Sequence, residues 1–354
     1  MPRHVICRQL GPPEKLRLET FESRPLAEGE VRVSLRAAGI NFPDILMAAG
    51  EYQLKPELPF VPGVEAAGKV SEVADGVTGV AVGDRVIAKM RYGAYADEVV
   101  VTREQLTPLP QNFDEAEGAT FLAAHGTAYH ALVDRGKLQP GDVLLVHGAG
   151  GGTGLAAVEI GKLLGATVIA AASSEAKLAV ARARGADHLI LYQREPFRDA
   201  VKRITDGRGA DVVIDPVGGE VFENSLRCIA WGARVLVVGF TGGIGLAKTN
   251  LLLIKGASAI GVRAGEAVRK NPALGEERLK TLSAWSAAGK VRPHISHRLP
   301  LQDCASAMRL LIERKAIGRV ALVMGPGFEK PLLQATRVAL KGGRLGVSTP
   351  TRAP

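Results

Sequence analysis

Cysteine is nearly missing from this chain of 354 residues, which has only Cys7, Cys228 and Cys304. They lie far apart, so neither a C-x-x-C pair nor a disulfide framework can be drawn. Three buried, reduced thiols are predicted. Aromatic residues are scarce as well, at 5%, which leaves no aromatic and basic stripe of the kind on which bases stack. No apolar run approaches the ~20 residues that span a bilayer. The opening Met1-Pro-Arg-His-Val-Ile-Cys7 has neither a signal-peptide core nor an Arg- and Ser-rich transit pattern. A cytoplasmic protein with no membrane attachment is expected. Internal repeats are absent too.

What is present is ordinary for a globular protein: 46% hydrophobic and 23% charged residues, with 42 glycines suited to tight connections. The length suits two domains. The net charge is +9, and part of the excess lies in the last thirty residues. There Lys330, Arg337, Lys341, Arg344 and Arg352 face only Glu329. A basic balance of this kind favours anions, phosphorylated cofactors included, more safely than nucleic acid.

The densest glycine run is Gly148-Ala-Gly-Gly-Gly-Thr-Gly154. A short apolar stretch, Val143 to His147, precedes it and reads as a buried strand. Leu155 to Leu164 follows, with Ala156, Ile160, Leu163 and Leu164 on one helical face. Strand, glycine turn and helix in that order let a diphosphate sit on free backbone N–H groups. The nearest fit to G-x-G-x-x-G is Ala149-x-Gly151-x-x-Gly154, with alanine in the first slot. The plainer reading is a tight connection with no ligand.

Before this turn the chain reads mainly as strand: Val31–Leu35, Gly63–Val70, Asp84–Ala88 and Tyr95–Val101. After it, strands at 143–147, 167–172, 187–191, 211–215, 233–239 and 258–262 alternate with helices at 155–164, 175–184, 197–205 and 221–230. That alternation predicts a doubly wound parallel sheet with its ligand crevice at the carboxyl ends of the strands. A helix at 272–288, then strand, helix and strand at 291–299, 301–315 and 319–323, close the ordered part. The basic tail 325–354 reads as loosely ordered, with a short helix near 331–340.

The end of the second parallel strand selects the cofactor. An acid about 20 positions beyond the glycine turn grips the ribose 2′-OH of NAD. Here Ala172 stands in that place, followed by Ser173, Ser174, Glu175 and Lys177. Two hydroxyls and an ammonium suit a 2′-phosphate, so NADPH is expected. Glu175 argues for NAD only if it turns inward, and its place in the first helical turn favours an outward face. Ser173 and Ser174 also serve as plain N-cap residues.

Several motifs now join: Ala38-Gly-Ile-Asn41-Phe-Pro-Asp44, Pro62-Gly-Val-Glu-Ala-Ala-Gly68, Val82-Gly-Asp-Arg-Val86, Gly126-Thr-Ala-Tyr129, Gly141-Asp142, His147–Leu155, Ile214-Asp-Pro-Val-Gly-Gly219 and Gly318-Arg-Val320. With them the chain resembles the zinc-independent quinone oxidoreductases of the medium-chain dehydrogenase/reductase superfamily, over about residues 5–323. The resemblance implies an α/β protein: a GroES-like, mainly-β catalytic domain at 1–123 and 265–324, with a Rossmann domain, a doubly wound parallel six-stranded sheet, at 124–264. Zinc-dependent relatives carry ligands where Asn41, Val64 and Ala123 stand, and a lobe of four cysteines that this sequence lacks, so no metal is expected.

The resemblance also implies hydride transfer from NADPH to a small quinone or electron-poor enone. Asn41 and Asp44 would border the nicotinamide and the substrate carbonyl, Thr127 the nicotinamide face, and Tyr52 the pocket. Ala149, Gly151, Gly152, Thr153 and Gly154 would hold the diphosphate. Ser173, Ser174, Lys177, Tyr192 and Arg314 would surround the 2′-phosphate, with Val238, Phe240 and, further on, Asn250 nearer the nicotinamide. For Asn41 the rival is a turn residue bonded to its own backbone. For Tyr52 and Tyr192 it is aromatic packing, and for Arg314 a helix-dipole partner. His125, His130 and His147 read as residues satisfied by backbone, since no carboxylate stands at a telling spacing, with a general acid in the cleft as the rival reading.

Two other functions compete. An enoyl-thioester reductase of the same superfamily needs basic residues at the cleft mouth, and the sequence places none there. A non-catalytic NADPH-binding protein associating with nucleic acid is suggested by the basic tail and opposed by the missing aromatic stripe. Strands 233–239 and 258–262 end the nucleotide sheet, and pairing that edge across a two-fold axis predicts a homodimer.

Overall fold

The structure, a computed structural model, describes residues 1–325. The tail and its expected helix near 331–340 lie outside the described residues. β1 (Arg3–Ile6) and β2 (Arg17–Thr20) form an antiparallel ribbon. β3 (Glu30–Gly39), β4 (Glu65–Val73), β5 (Arg85–Lys89), β6 (Glu98–Thr102) and β7 (Leu106–Pro108) make most of a mixed sheet. The chain then builds a second sheet from β8 (Val143–Val146), β9 (Thr167–Ala172), β10 (His188–Leu191), β11 (Ala210–Asp215), β12 (Ile229–Val237) and β13 (Ser258–Gly261). Finally β14 (Ile295–Pro300) and β15 (Arg319–Val323) return to the first sheet, where β15 pairs antiparallel with β3.

All pairs in the second sheet are parallel, in the order β10-β9-β8-β11-β12-β13. The order reverses between β8 and β11, which opens a crevice at their carboxyl ends. β8 is buried along its whole length, as a central parallel strand covered on both faces must be. Each such Val or Leu contributes about 1.5–3 kcal/mol of burial. The expected doubly wound sheet and the expected mainly-β unit are therefore both present.

Two local readings need correction. Asn41-Phe-Pro-Asp44, for which a turn is the rival reading, opens a helix over Phe42–Ala49 with Asn41 as its N-cap. The Asp44 carboxylate, three residues on, accepts the Asn41 backbone N–H at 2.8 Å, so a turn signal was in fact a helix start. The helix expected at 221–230 stops at Ser225, and Ile229 already pairs with Ala210 in β12. Its apolar run carried no period that separates helix from strand. All three cysteines are buried and free. No helix among the described residues is long and apolar enough to cross a membrane.

Candidate functional site

The glycine turn lies at the end of β8, and the helix Gly152–Leu163 starts on it with Gly151 as an N-cap that has no capping side chain. The N–H groups of Gly152, Thr153 and Gly154 begin a helix and so have no partner within it. Three glycines are demanded by three different neighbours. A Cβ on Gly154 would lie 2.3 Å from the Gly148 carbonyl oxygen, so the turn closes on its own backbone there. A Cβ on Gly150 would strike the Lys177 stem at 2.5 Å, and one on Gly152 the Arg319 Cδ at 2.4 Å. The latter two glycines admit cations against the turn. Ala149, in the first slot, is buried and donates its N–H to Ala171 in β9 at 3.0 Å.

Lys177 and Arg314 form the outer end of this site. The Lys177 ammonium donates to the Arg314 carbonyl at 2.7 Å and to Ser173 Oγ at 3.3 Å. Burial, then the charge of Arg314, lowers the Lys177 pKa from its ordinary value. Arg314 follows the helix Cys304–Ile312 with φ of 57°, the left-handed region that a side chain resists. Its guanidinium reaches the Thr241 carbonyl at 3.4 Å. No carboxylate stands among Ser173, Lys177 and Arg314. Glu175 turns outward to an exposed pair with Arg194 at 2.7 Å. Ser174 does not join the cations, because its Oγ caps its own helix by accepting the Lys177 N–H at 3.3 Å.

The inner end is closed, and its side chains bond mainly to one another, with Asp44 Oδ1 and Arg319 Nε left without a partner among the described residues. Asn41 is 6% exposed, and its Oδ1 accepts from Arg319 Nη2 at 2.8 Å while its Nδ2 donates to the Gly39 carbonyl at 3.2 Å. Asp44 has no exposed surface; besides the Asn41 N–H it accepts the Tyr95 hydroxyl at 2.7 Å. Burial raises its pKa to about 6 against the pull of those donors. Asp44 thus stands behind Asn41 rather than facing the cleft, fully buried with its Oδ2 taken up by the Asn41 N–H and the Tyr95 hydroxyl. Glu65, also enclosed, accepts the N–H groups of Leu122 and Ala123 at the start of the helix Leu122–Tyr129. Burial raises it to about 7, with Arg319 and then Lys89 pulling it down.

Arg319 is the residue that sequence reading passed over, although Gly318-Arg-Val320 was in view. It opens β15, one residue after Gly318, whose N–H donates to the Gly150 carbonyl at 2.7 Å. The stretch from Arg314 to Arg319 therefore touches the cation end, the glycine turn and Asn41 in succession. No local pattern signals this, since the partners are 137 and 278 residues away.

The remaining candidates scatter. Thr127 is half-buried on its helix and donates to the Ala123 carbonyl one turn back at 2.7 Å. Tyr52 packs on the small cluster of Cys7, Met47 and Phe60. Tyr192 sits beside the turn, but its hydroxyl lies 2.9 Å from His147 Nδ1 and not with Lys177 and Arg314. His147 is buried, and burial holds its pKa down at about 3, so a neutral ring needs such a partner. Its Nε2 lies 2.8 Å from Ser225 Oγ. Val238 is half-buried and donates its N–H to the Asp215 carbonyl at 2.9 Å, while Phe240 is exposed. Asn250 is exposed on the helix Thr249–Lys255. The histidine expectation also needs correcting: His130 Nδ1 lies 2.7 Å from Asp134 one helical turn on, and His125 Nε2 3.0 Å from Glu159. Among the described residues no group of three or more His, Cys, Asp or Glu side chains is placed to hold a metal ion.

Comparison with known proteins gives residues 152–280 as a match to the zinc-binding dehydrogenase family and 27–111 to the alcohol dehydrogenase GroES-like domain. The quinone oxidoreductase-like protein 2 homolog of Nematostella vectensis is 39% identical over 324 residues, covering 90% of this chain and 88% of that one. The structure of Escherichia coli quinone oxidoreductase complexed with NADPH matches with TM-score 0.84 and 29% identity, over 92% of this chain and 100% of that one. An NAD-dependent alcohol dehydrogenase structure matches with TM-score 0.83 and 32% identity, over 91% and 100%.

Proposed function

Since the chain belongs to the quinone oxidoreductase family of the medium-chain dehydrogenase/reductases, we propose that this oxidoreductase moves hydride from NADPH to a quinone or an electron-poor enone, without a catalytic metal. The observation that carries the choice of NADPH is the meeting of Lys177 and Arg314 beside Ser173 with no acid among them. Two neighbouring cations repel one another, and a 2′-phosphate relieves that repulsion. The opposite residue for NAD, an acid at the end of β9, is replaced by Ala172. The N–H groups of Gly152, Thr153 and Gly154 would hold the diphosphate at an uncapped helix end.

When bound, the dihydronicotinamide supplies the hydride. The protein's part is placement and charge. Asn41 keeps one amide N–H beyond that given to Gly39, and a neutral donor of this kind strengthens as the carbonyl oxygen gains charge. Thr127, Tyr52, Val238 and Phe240 would border the nicotinamide and the acceptor. Under this reading 1–123 and 265–324 form the catalytic domain and 124–264 the nucleotide domain.

The deciding experiment is calorimetric binding of NADPH against NADH to the native protein and to Lys177→Ala. The variant is expected to lose NADPH affinity by about 1–3 kcal/mol, with NADH unchanged. Equal loss for both nucleotides, or a preference of the native protein for NADH, overturns the assignment. Turnover of 1,4-benzoquinone against crotonyl-CoA separates quinone reduction from thioester reduction.

We further propose a homodimer in which β13 pairs with its copy. Trp231, Ile244 and Leu253 are 78%, 81% and 80% exposed beside that sheet edge, and a second copy would supply both strand and apolar cover. Leu253→Glu is expected to yield monomers by light scattering.

A further inference from the structure

Resting on that reading, we propose that Arg319 is a positioning residue that sets the Asn41 side chain so that it can only donate to the substrate oxygen. The amide of Asn41 has a donor end and an acceptor end, and half a turn about its last bond exchanges them. A guanidinium has no acceptor, so whatever faces it must be Oδ1; a backbone carbonyl has no donor, so whatever faces it must be Nδ2. Arg319 Nη2 stands 2.8 Å from one end of the amide and the Gly39 carbonyl 3.2 Å from the other. Both neighbours therefore enforce one orientation. With Arg319 removed, only the carbonyl of Gly39 restrains the amide, and the flipped state turns Oδ1 toward a developing oxyanion, where it repels.

The guanidinium is itself held. It is buried, 8% exposed, and lies in the fields of Glu65 and Asp44. Asp44 also fixes the Asn41 backbone through the 2.8 Å contact with its N–H. Along its stem Arg319 packs under Gly152, where any side chain would displace it. Its rival role is as a counter-ion for the diphosphate at that helix end, and the two roles part experimentally.

The test compares Arg319→Met, Arg319→Lys, Asn41→Ala and the double variant Arg319→Met/Asn41→Ala, with NADPH affinity, kcat for quinone reduction and thermal melting measured on each. Loss of one oxyanion donor costs about 100-fold in kcat, so Asn41→Ala should fall by roughly that. Arg319→Met should fall about 10- to 100-fold, and the double variant should be no slower than Asn41→Ala, since a residue acting through another has nothing left to act on. NADPH affinity should stay within about threefold, and Arg319→Lys, a donor-only cation, should recover most of the rate. Losses that multiply in the double variant, or a main effect on NADPH affinity, overturn the proposal. Because Arg319→Met exposes buried carboxylates to an apolar neighbour, folding is checked independently by NMR of nucleotide-free, asparagine-labelled protein. There the Asn41 side-chain amide should shift and exchange faster in Arg319→Met, with Arg319→Lys close to native, and unchanged signals in Arg319→Met overturn the proposal even if no oxidant is turned over. Absence of turnover in the native protein with every oxidant would instead sink the proposed function alone.

Discussion

At the cation end, half-buried Lys177 and exposed Arg314 stand together with exposed Ser173 and no acid between them. At the amide end, Asn41, Asp44, Tyr95, Glu65 and Arg319 are buried and bonded to protein partners. The difference follows from water. A cation at or near the surface with no carboxylate partner costs little, since solvent and neutral oxygens serve it until a ligand arrives. A buried polar group left unpaired costs about 1–3 kcal/mol, so most polar atoms here are paired, Asp44 Oδ1 and Arg319 Nε excepted, and the pairing fixes the direction of each side chain. One end is therefore arranged to capture charge and the other to hold geometry. The glycine turn touches both, with Lys177 over Gly150 and Arg319 over Gly152.

The sharpest way to break this division is at the turn itself. Gly154→Val places its Cβ 2.3 Å from the Gly148 oxygen and 2.8 Å from the Ala149 Cα, both backbone. The turn must open, at a cost of about 3 kcal/mol in urea unfolding, and both nucleotides should bind worse. Gly150→Ala meets the root of the Lys177 side chain, Cβ and Cγ both at 2.5 Å, rather than backbone. That root yields less readily than a side-chain tip, so the variant should cost about 1–2 kcal/mol of stability, less than Gly154→Val, and reduce NADPH affinity specifically. If both variants lose stability equally, the turn is one rigid object and the two ends are not separable.

The sequence made the cation end and the sheets legible, and for a physical reason. Strand β8, the turn and the next helix are written in consecutive residues, and their periods are local. Lys177 lies within the same βαβ stretch. The amide end resisted reading because its bonds join Asn41 to Arg319 across 278 residues and Asp44 to Tyr95 across 51. The resemblance implies a place facing substrate for both Asn41 and Asp44, but burial puts Asp44 behind Asn41. The resemblance implies Tyr192, which follows β10, as a phosphate ligand, yet the buried ring of His147 draws its hydroxyl inward. In both cases a buried group's need for a partner decided what local sequence could not.

Acid titration separates the ends by sign. His147, under the turn, is held down to about 3 in the folded protein, while an unfolded histidine titrates near ~6.5. Below that value the unfolded chain takes a proton the native one refuses, so this contribution to stability is lost as pH falls toward 3. The loss should reach about 2 kcal/mol by pH 5. At the amide end Glu65 and Asp44 are raised to about 7 and about 6. The native chain binds those protons first, so their contribution grows as pH falls from about 7 toward the ordinary carboxylate range, and is lost on the way back up. Urea unfolding from pH 8 to pH 5 should show His147→Gln flattening the acid-side fall and Glu65→Gln removing the opposing rise. A difference between native protein and His147→Gln that does not vary with pH would contradict the assignment.

The smallest expected effect is the most direct test of what the cation end is for. Arg314 holds a left-handed backbone, φ of 57°, at a position after a helix end where glycine is at ease. An L-residue there costs about 1 kcal/mol relative to glycine, so Arg314→Gly should stabilise the protein by roughly that amount. It keeps the carbonyl that accepts from Lys177 and removes only the guanidinium. NADPH affinity should fall while NADH affinity stays. A protein that tolerates strain at this point for the sake of a charge gains nothing from it unless an anion sits there; if Arg314→Gly raises stability and leaves NADPH binding intact, the strain has another cause and the contrast between the two ends fails on its exposed side.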